Sequence, residues 1–240
     1  MDENPWGALE HMAALGYQGI EGSFALGETD DETRENARRL AGLGLETVCL
    51  SCSQDDEDHL DQAIANAHLL GTEYLVTYYG GPQTRDETLR LAQQLERIAQ
   101  RCEAEGLTYL YHNHAHEFEI RLDKKGNETV FDTLVGNTEK LAFQLDTGWA
   151  RIGGADPLTL IRRLGQRIPV LHLRDTFDDA RPVTWCAIGI GKIPCLALIE
   201  AAAARGTAWM DVEIPQPGAL SKYESAVASI LNLRAAGLAP

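Results

Sequence analysis

Tyr109-Leu110-Tyr111-His112-Asn113-His114-Ala115-His116-Glu117-Phe118 carries three of the chain's seven histidines at alternate positions. On an extended strand successive side chains point to opposite faces, so His112, His114 and His116 share one face and Tyr111 and Asn113 the other. Two imidazoles two residues apart on one face can reach a single metal ion. A strand of this kind predicts partner ligands on neighbouring strands.

Working outward, apolar periodicity and stop signals alternate between the helical and the extended period. Helices are predicted over 5–15, 31–43, 58–70, 86–105, 131–135, 157–164, 194–205 and 221–236. Strands are predicted over 17–24, 45–53, 73–79, 107–114, 141–146, 170–174 and 209–214, with a long loop over 175–193. Strands that alternate with helices imply parallel sheet, because the helix supplies the crossover. Seven strands and eight helices predict an α/β fold, a TIM-type (β/α) barrel that lacks its first strand, with 1–240 as one domain. An open doubly wound sheet is the alternative, and no glycine-rich GxGxxG follows an early strand to favour it. A barrel short of one strand exposes backbone groups at its edge unless another chain or segment covers them, so the expectation is either a homodimer or a shortened chain.

Each later strand has one apolar and one polar face. Phe143 and Leu145 share a face opposite Gln144 and Asp146, Leu171 and Leu173 lie opposite His172 and Arg174, and Met210, Val212 and Ile214 lie opposite Asp211 and Glu213. Apolar faces suit a surrounding ring of helices. The polar faces then gather His112, His114, Asp146, His172 and Glu213 at the C-terminal rim, where barrel active sites form. Burying so many ionisable groups at one height without a shared purpose is costly, which favours a metal site over a satisfied polar core. Mixed imidazole and carboxylate donors suit one divalent ion, Mn, Zn, Co or Fe, better than calcium. Such an ion would polarise a carbonyl and a neighbouring hydroxyl of a small polyol and stabilise the enediolate left by proton removal.

Composition narrows the class. A net charge of −15 repels a phosphate backbone, which argues against nucleic acid. The acidic runs Glu28-Thr29-Asp30-Asp31-Glu32 and Asp55-Asp56-Glu57-Asp58 read as solvated helix starts. No apolar run approaches the roughly 18 residues needed to cross a bilayer, and the first residues lack the regions of a signal peptide, so a cytoplasmic protein with no membrane contact is expected. Five cysteines scattered over the chain read as reduced thiols. Cys49 and Cys52 have CxxC spacing but fall on opposite faces of a strand, which predicts buried structural thiols.

The sequence resembles the xylose isomerase-like barrels, a superfamily of sugar-phosphate isomerases, ketose epimerases, inosose dehydratases and endonuclease IV-type repair enzymes. The resemblance runs from about Pro5 to the C-terminus. Its markers are Gly16-Tyr17-Gln18-Gly19-Ile20-Glu21, Tyr111-His112-Asn113-His114 with Glu117-Phe118, Leu145-Asp146-Thr147-Gly148, His172-Leu173-Arg174-Asp175, Ile188-Gly189-Ile190-Gly191 and Val212-Glu213. It implies that His112, Asp146, His172 and Glu213 hold one ion, one ligand from each of four strands. Ketose epimerases carry glutamate where this chain has His112, so a two-glutamate epimerisation does not transfer intact. Glu213 is then the general base, and His114 a second proton carrier or an alternative ligand.

Relatives with several metals often have histidine at the position of Trp149. The tryptophan favours a single ion and offers an apolar wall to a sugar ring, or else packs beneath a loop. Glu21 is a candidate substrate contact, Arg174 and Lys192 are candidate anion contacts or rim ion pairs, and one of Tyr78 and Tyr79 is expected to line the pocket. Gly189 and Gly191 are expected to serve a tight loop. The expected function is a metal-dependent sugar isomerase or epimerase acting on a small or oxidised sugar through a metal-bound enediolate. The alternatives are a dehydratase or lyase of inosose or keto-sugar type, and a non-catalytic carbohydrate-binding barrel.

Overall fold

Period-two alternation in the strands and capped, amphipathic helices between them produce a curled parallel sheet ringed by helices in the computed structural model, which describes residues 4–53, 59–78, 80–213 and 220–239. The strands are β1 (Gly19–Ile20), β2 (Glu46–Thr47), β3 (Cys49–Ser51), β4 (Tyr74–Thr77), β5 (Thr108–His112), β6 (Ala142–Asp146), β7 (Val170–Leu173), β8 (Asp175–Thr176), β9 (Trp185–Cys186) and β10 (Trp209–Val212). Six of them form one parallel sheet in the order β10-β7-β6-β5-β4-β3, and β1 pairs in parallel with β2. Val48 alone separates β2 from β3. Hydrogen bonds from Val48 N to Ile20 O and from Gly22 N to Cys49 O carry β1 alongside that whole segment.

The seven predicted strands are therefore present in chain order. The first is much shorter than 17–24: after Ile20 the chain turns through Gly22 at φ 107°, where a side chain would strain the backbone, into a 3-10 turn at Ser23–Ala25. The predicted 175–193 loop contains the antiparallel β8–β9 pair. Position 214, Tyr79 and the acidic run at 55–58 lie outside the described residues.

The two strand faces bury separate cores. Outward-facing Leu50, Leu75, Tyr109, Tyr111, Phe143, Leu145, Leu171 and Leu173 pack beneath the helices. Inward-facing Cys49, Tyr74, Val76, Leu110, Ala142 and Val170 close the barrel floor. Cys49 and Cys52 fall in different clusters, as opposite faces require, and neither is in a disulfide.

The helices are α1 (Pro5–Ala14), α2 (Asp30–Gly42), α3 (Leu60–Leu70), α4 (Arg85–Ala104), α5 (His116–Glu119), α6 (Val130–Gly136), α7 (Thr147–Ile152), α8 (Pro157–Leu164), α9 (Cys195–Ala203) and α10 (Lys222–Ala235). Reciprocal capping fixes where α2, α4, α6 and α10 start. The hydroxyls of Thr29, Thr84, Thr129 and Ser221 each accept from an amide three residues on, while an acidic side chain there reaches back. Two short helices are absent from the sequence pattern: three residues separate α5 from the end of β5, and α7 begins directly after β6, with Asp146 as its cap.

The Ile188-Gly189-Ile190-Gly191 motif is pinned by Asp175. Its buried carboxylate accepts from the amides of Thr176, Gly189, Gly191 and Ile193 at 2.8, 3.0, 2.9 and 3.0 Å. A Cβ on Gly191 would lie 2.3 Å from Asp175 Oδ1, so glycine is needed for the carboxylate to come this close. Asp175→Ala would orphan several amides at once and is expected to lower stability by about 2–4 kcal/mol in urea unfolding. A loss under about 0.5 kcal/mol would show that the loop is held by other contacts.

Candidate metal centre

The C-terminal ends of β5, β6, β7 and β10 bring the polar face together above the apolar floor. Registers of His112 with Gln144, Asp146 with His172, and Asp211 with His172 set these residues at neighbouring heights. Above them lies a cavity of about 570 Å³ whose lining includes Glu21, Tyr78, His112, His114, His172 and Glu213.

Asp146 is at the middle. It has no exposed surface, and its two oxygens have different tasks. Oδ1 accepts from Trp149 N at 2.7 Å and caps α7. Oδ2 faces the cavity, 2.5 Å from Arg174 Nε, 3.4 Å from His172 Nδ1 and 3.8 Å from His112 Nε2. Burial alone would raise this carboxyl, but the contact with His172 and the charge on Arg174 outweigh it and hold Asp146 below the usual carboxylate range. A reciprocal pair, Asn113 Nδ2 to Asp146 O and Asp146 N to Asn113 Oδ1, locks the ends of β5 and β6 together.

The two histidines are in opposite electrostatic states. Burial pushes His112 down to about 3, and His172 beside it adds to the fall. Burial would lower His172 too, but Asp146 and the further negative charges of Asp211 and Glu21 lift it to about 9. Asp211, half-buried beside Glu21, is raised to about 8 by desolvation and by that neighbouring carboxylate. Its Oδ2 is buried without a hydrogen-bond partner, 3.7 Å from His172 Nε2.

One donor atom each from His112, Asp146 and His172 lies within 4.8 Å of the other two, and all three residues are buried. Tetrahedral ligands about 2.1 Å from an ion sit roughly 3.4 Å apart. The Asp146–His172 separation matches that spacing and the Asp146–His112 separation is close to it. Glu213 Oε2 lies 3.3 Å from His172 Nδ1 on the same side. The donor set therefore fits a divalent ion, and Arg174, bridging Asp146 and Glu213, provides the positive charge between them.

The other residues singled out from the sequence occupy varied places. His114 lies beyond the end of β5, its ring 5.1 Å from that of His112, and lines the cavity. Glu117 accepts from its amide at 2.8 Å and from Tyr111 Oη at 2.8 Å, which fixes the turn. Trp149 packs behind the cavity, with its ring centroid 6.0 Å from His114 and 5.4 Å from the Arg174 guanidinium. Gly148 makes room for this packing: a Cβ there would lie 2.6 Å from Arg174 Cβ and 2.7 Å from the Trp185 ring. Lys192 is exposed and does not line the cavity, whereas Lys222, at the start of α10, does. His116 opens α5 and contacts Glu117. Gln144 and Asp211 were legible as polar-face residues, but nothing in the local sequence marked their contacts with His112 and His172.

The chain belongs to the xylose isomerase-like TIM barrel family, whose model matches residues 9–234. Among curated proteins it is similar to an inosose dehydratase of Geobacillus kaustophilus, 25% identical over 197 residues that cover 71% of this chain and 62% of that protein. An inosose dehydratase of Lacticaseibacillus casei is 34% identical over 96 residues, covering 38% of this chain and 30% of that protein. The matched segments thus span less than two thirds of these curated relatives. Among solved structures, a sugar phosphate isomerase/epimerase from Parabacteroides distasonis superposes with a TM-score of 0.83 at 18% identity, covering 100% of this chain and 94% of that one. No helix among the described residues is long and apolar enough to cross a membrane.

Two outcomes are expected of the metal-free protein. Arg174→Met would leave the buried Asp146 carboxylate without its nearest cation and is expected to cost about 3–5 kcal/mol in chemical unfolding; retention of wild-type stability would refute the compensation. His112 takes a proton at about 3 when folded and near 6.5 when unfolded, so the unfolded chain gains protons first as pH falls. Its contribution to stability should drop between pH 6.5 and about 3, and thermal melts of His112→Gln should show a shallower slope across that window.

Proposed function

We propose that the chain is a divalent-metal-dependent sugar isomerase or epimerase, acting at the carbon next to a carbonyl of a small or oxidised sugar. The observation that carries this reading is the buried His112, Asp146 and His172 cluster beneath a sugar-sized cavity. His112, Asp146, His172 and Glu213 would hold the ion, which when bound supplies Lewis acidity to a carbonyl and an adjacent hydroxyl.

The remaining work falls to the chain's own side chains. Glu213, partly exposed at the cavity, is the base that removes the proton beside the carbonyl. His114, whose pKa burial lowers, enters neutral and can carry that proton across the pocket. Arg174 lies against both the Trp149 and Trp185 rings, and the guanidinium N–H groups left over from its pairs with Asp146 and Glu213 can donate to a carboxylate or other oxyanion on the substrate.

A dehydratase reading is favoured by one observation, the similarity to two inosose dehydratases. It uses the same proton abstraction followed by loss of the neighbouring hydroxyl, with His114 protonating the departing oxygen. Deuterium incorporation beside the carbonyl without loss of water would support isomerase or epimerase chemistry, and appearance of an unsaturated ketone would support the dehydratase.

After reconstitution with manganese, zinc or cobalt, elemental analysis is expected to find about one ion per chain. His112→Ala, Asp146→Asn and His172→Ala should each abolish tight binding. Glu213→Gln should reduce proton exchange by about 10²-fold or more. Full ion binding by all three ligand variants would sink the assignment.

A further inference from the structure

Glu21 lies at the end of the first strand and both its oxygens are already engaged by the protein. Oε1 accepts from Tyr78 Oη at 2.8 Å, and Oε2 accepts from Gln144 Nε2 at 2.5 Å. Those contacts determine more than the placement of Glu21 itself. Carboxylate oxygens have nothing to donate to Gln144, so the amide must present its NH2 group to Glu21 and its carbonyl oxygen to the other side. There, Gln144 Oε1 stands 2.7 Å from His112 Nδ1. An amide oxygen only accepts, so His112 must carry its proton on Nδ1. Its Nε2 lone pair then points towards Asp146.

The opposite arrangement has a competing attraction. Nε2 lies 3.8 Å from Asp146 Oδ2, and a proton on Nε2 would be drawn to that carboxylate. A proton there would block the nitrogen as a ligand. The direction of one amide decides between the two tautomers, and Glu21 sets that direction, with a weaker contact from Gln144 Nε2 to Cys49 Sγ at 3.8 Å on the same side.

We infer that Glu21 is a positioning residue which, through Gln144, holds His112 in the Nδ1-protonated tautomer and keeps Nε2 open for a divalent cation. The inference departs from the expectation of Glu21 as a substrate contact, and it rests on the proposed metal site only for the use made of Nε2. The tautomer itself is a property of the metal-free chain.

The test is a multiple-bond 1H–15N correlation spectrum of metal-free protein labelled at histidine, with His112 assigned from the signal lost in His112→Gln. Wild type should show His112 protonated at Nδ1 alone. Glu21→Ala frees the Gln144 amide to turn and should give a mixed or Nε2-protonated His112, with manganese or zinc binding weakened about 10- to 100-fold in calorimetric titration. Glu21→Gln keeps an oxygen for Gln144 while Tyr78 can accept from the new amide, so it should restore the wild-type tautomer and bring affinity back to within a few fold.

A proton on Nε2 of His112 in the wild type would overturn the inference even if Glu21→Ala failed to fold, as would an unchanged His112 pattern in a folded Glu21→Ala. If wild type shows the expected tautomer but takes up no ion, the relay stands and the metal reading fails.

Discussion

A carboxylate with no exposed surface must be compensated from within the protein, and the site is arranged around that demand at Asp146. One oxygen satisfies the start of α7 while the other faces Arg174 and the two histidines. Secondary structure and candidate chemistry therefore meet in a single group. Placing it requires the ends of β5 and β6 at one height, which the Asn113 side-chain amide secures by bonding to both backbone groups of Asp146. Placing its counter-charge requires Gly148, because any larger residue would push against Arg174 and Trp185.

Much of this was legible from alternation along single strands. Phe143 and Leu145 opposite Gln144 and Asp146, and Leu171 and Leu173 opposite His172 and Arg174, divide into outer core and inner site as a period of two requires. The ends of the strands were less legible. The residues from Tyr17 to Phe24 have a strand-like composition, yet a glycine at positive φ and a 3-10 turn leave only Gly19–Ile20 in the ladder. The short helices after β5 and β6 were missed because a helix of four to six residues has too few turns to show a periodic apolar face.

What alternation could not reveal was which polar residues touch. Glu21 meets Tyr78 across 57 positions of sequence and Gln144 across 123. Contacts at that range depend on sheet curvature, which no local pattern records. A neutral glutamine also gives no charge signal, although its amide decides which nitrogen of His112 carries the proton. Lys192 shows the converse: a charged side chain next to a recognisable glycine motif, held in the loop by its backbone and turned out to solvent.

The seam between β10 and β1 has a consequence for motion. Among the described residues the two strands share no hydrogen-bonded ladder. They meet through the Trp209 ring, close over Gly19, and beside them the Tyr17 hydroxyl donates to Ala226 O of α10 at 2.9 Å. β5, β6 and β7, which carry or abut His112, Asp146 and His172, are laddered on both sides. Opening at the seam breaks few backbone bonds, whereas opening in the middle of the sheet breaks many. The pocket is thus stiff along one wall and compliant along the other, and Glu21, Asp211 and Glu213 all belong to the compliant wall. A displacement confined to the seam would leave the β5–β6–β7 ladders, and with them the spacing of the buried cluster, intact.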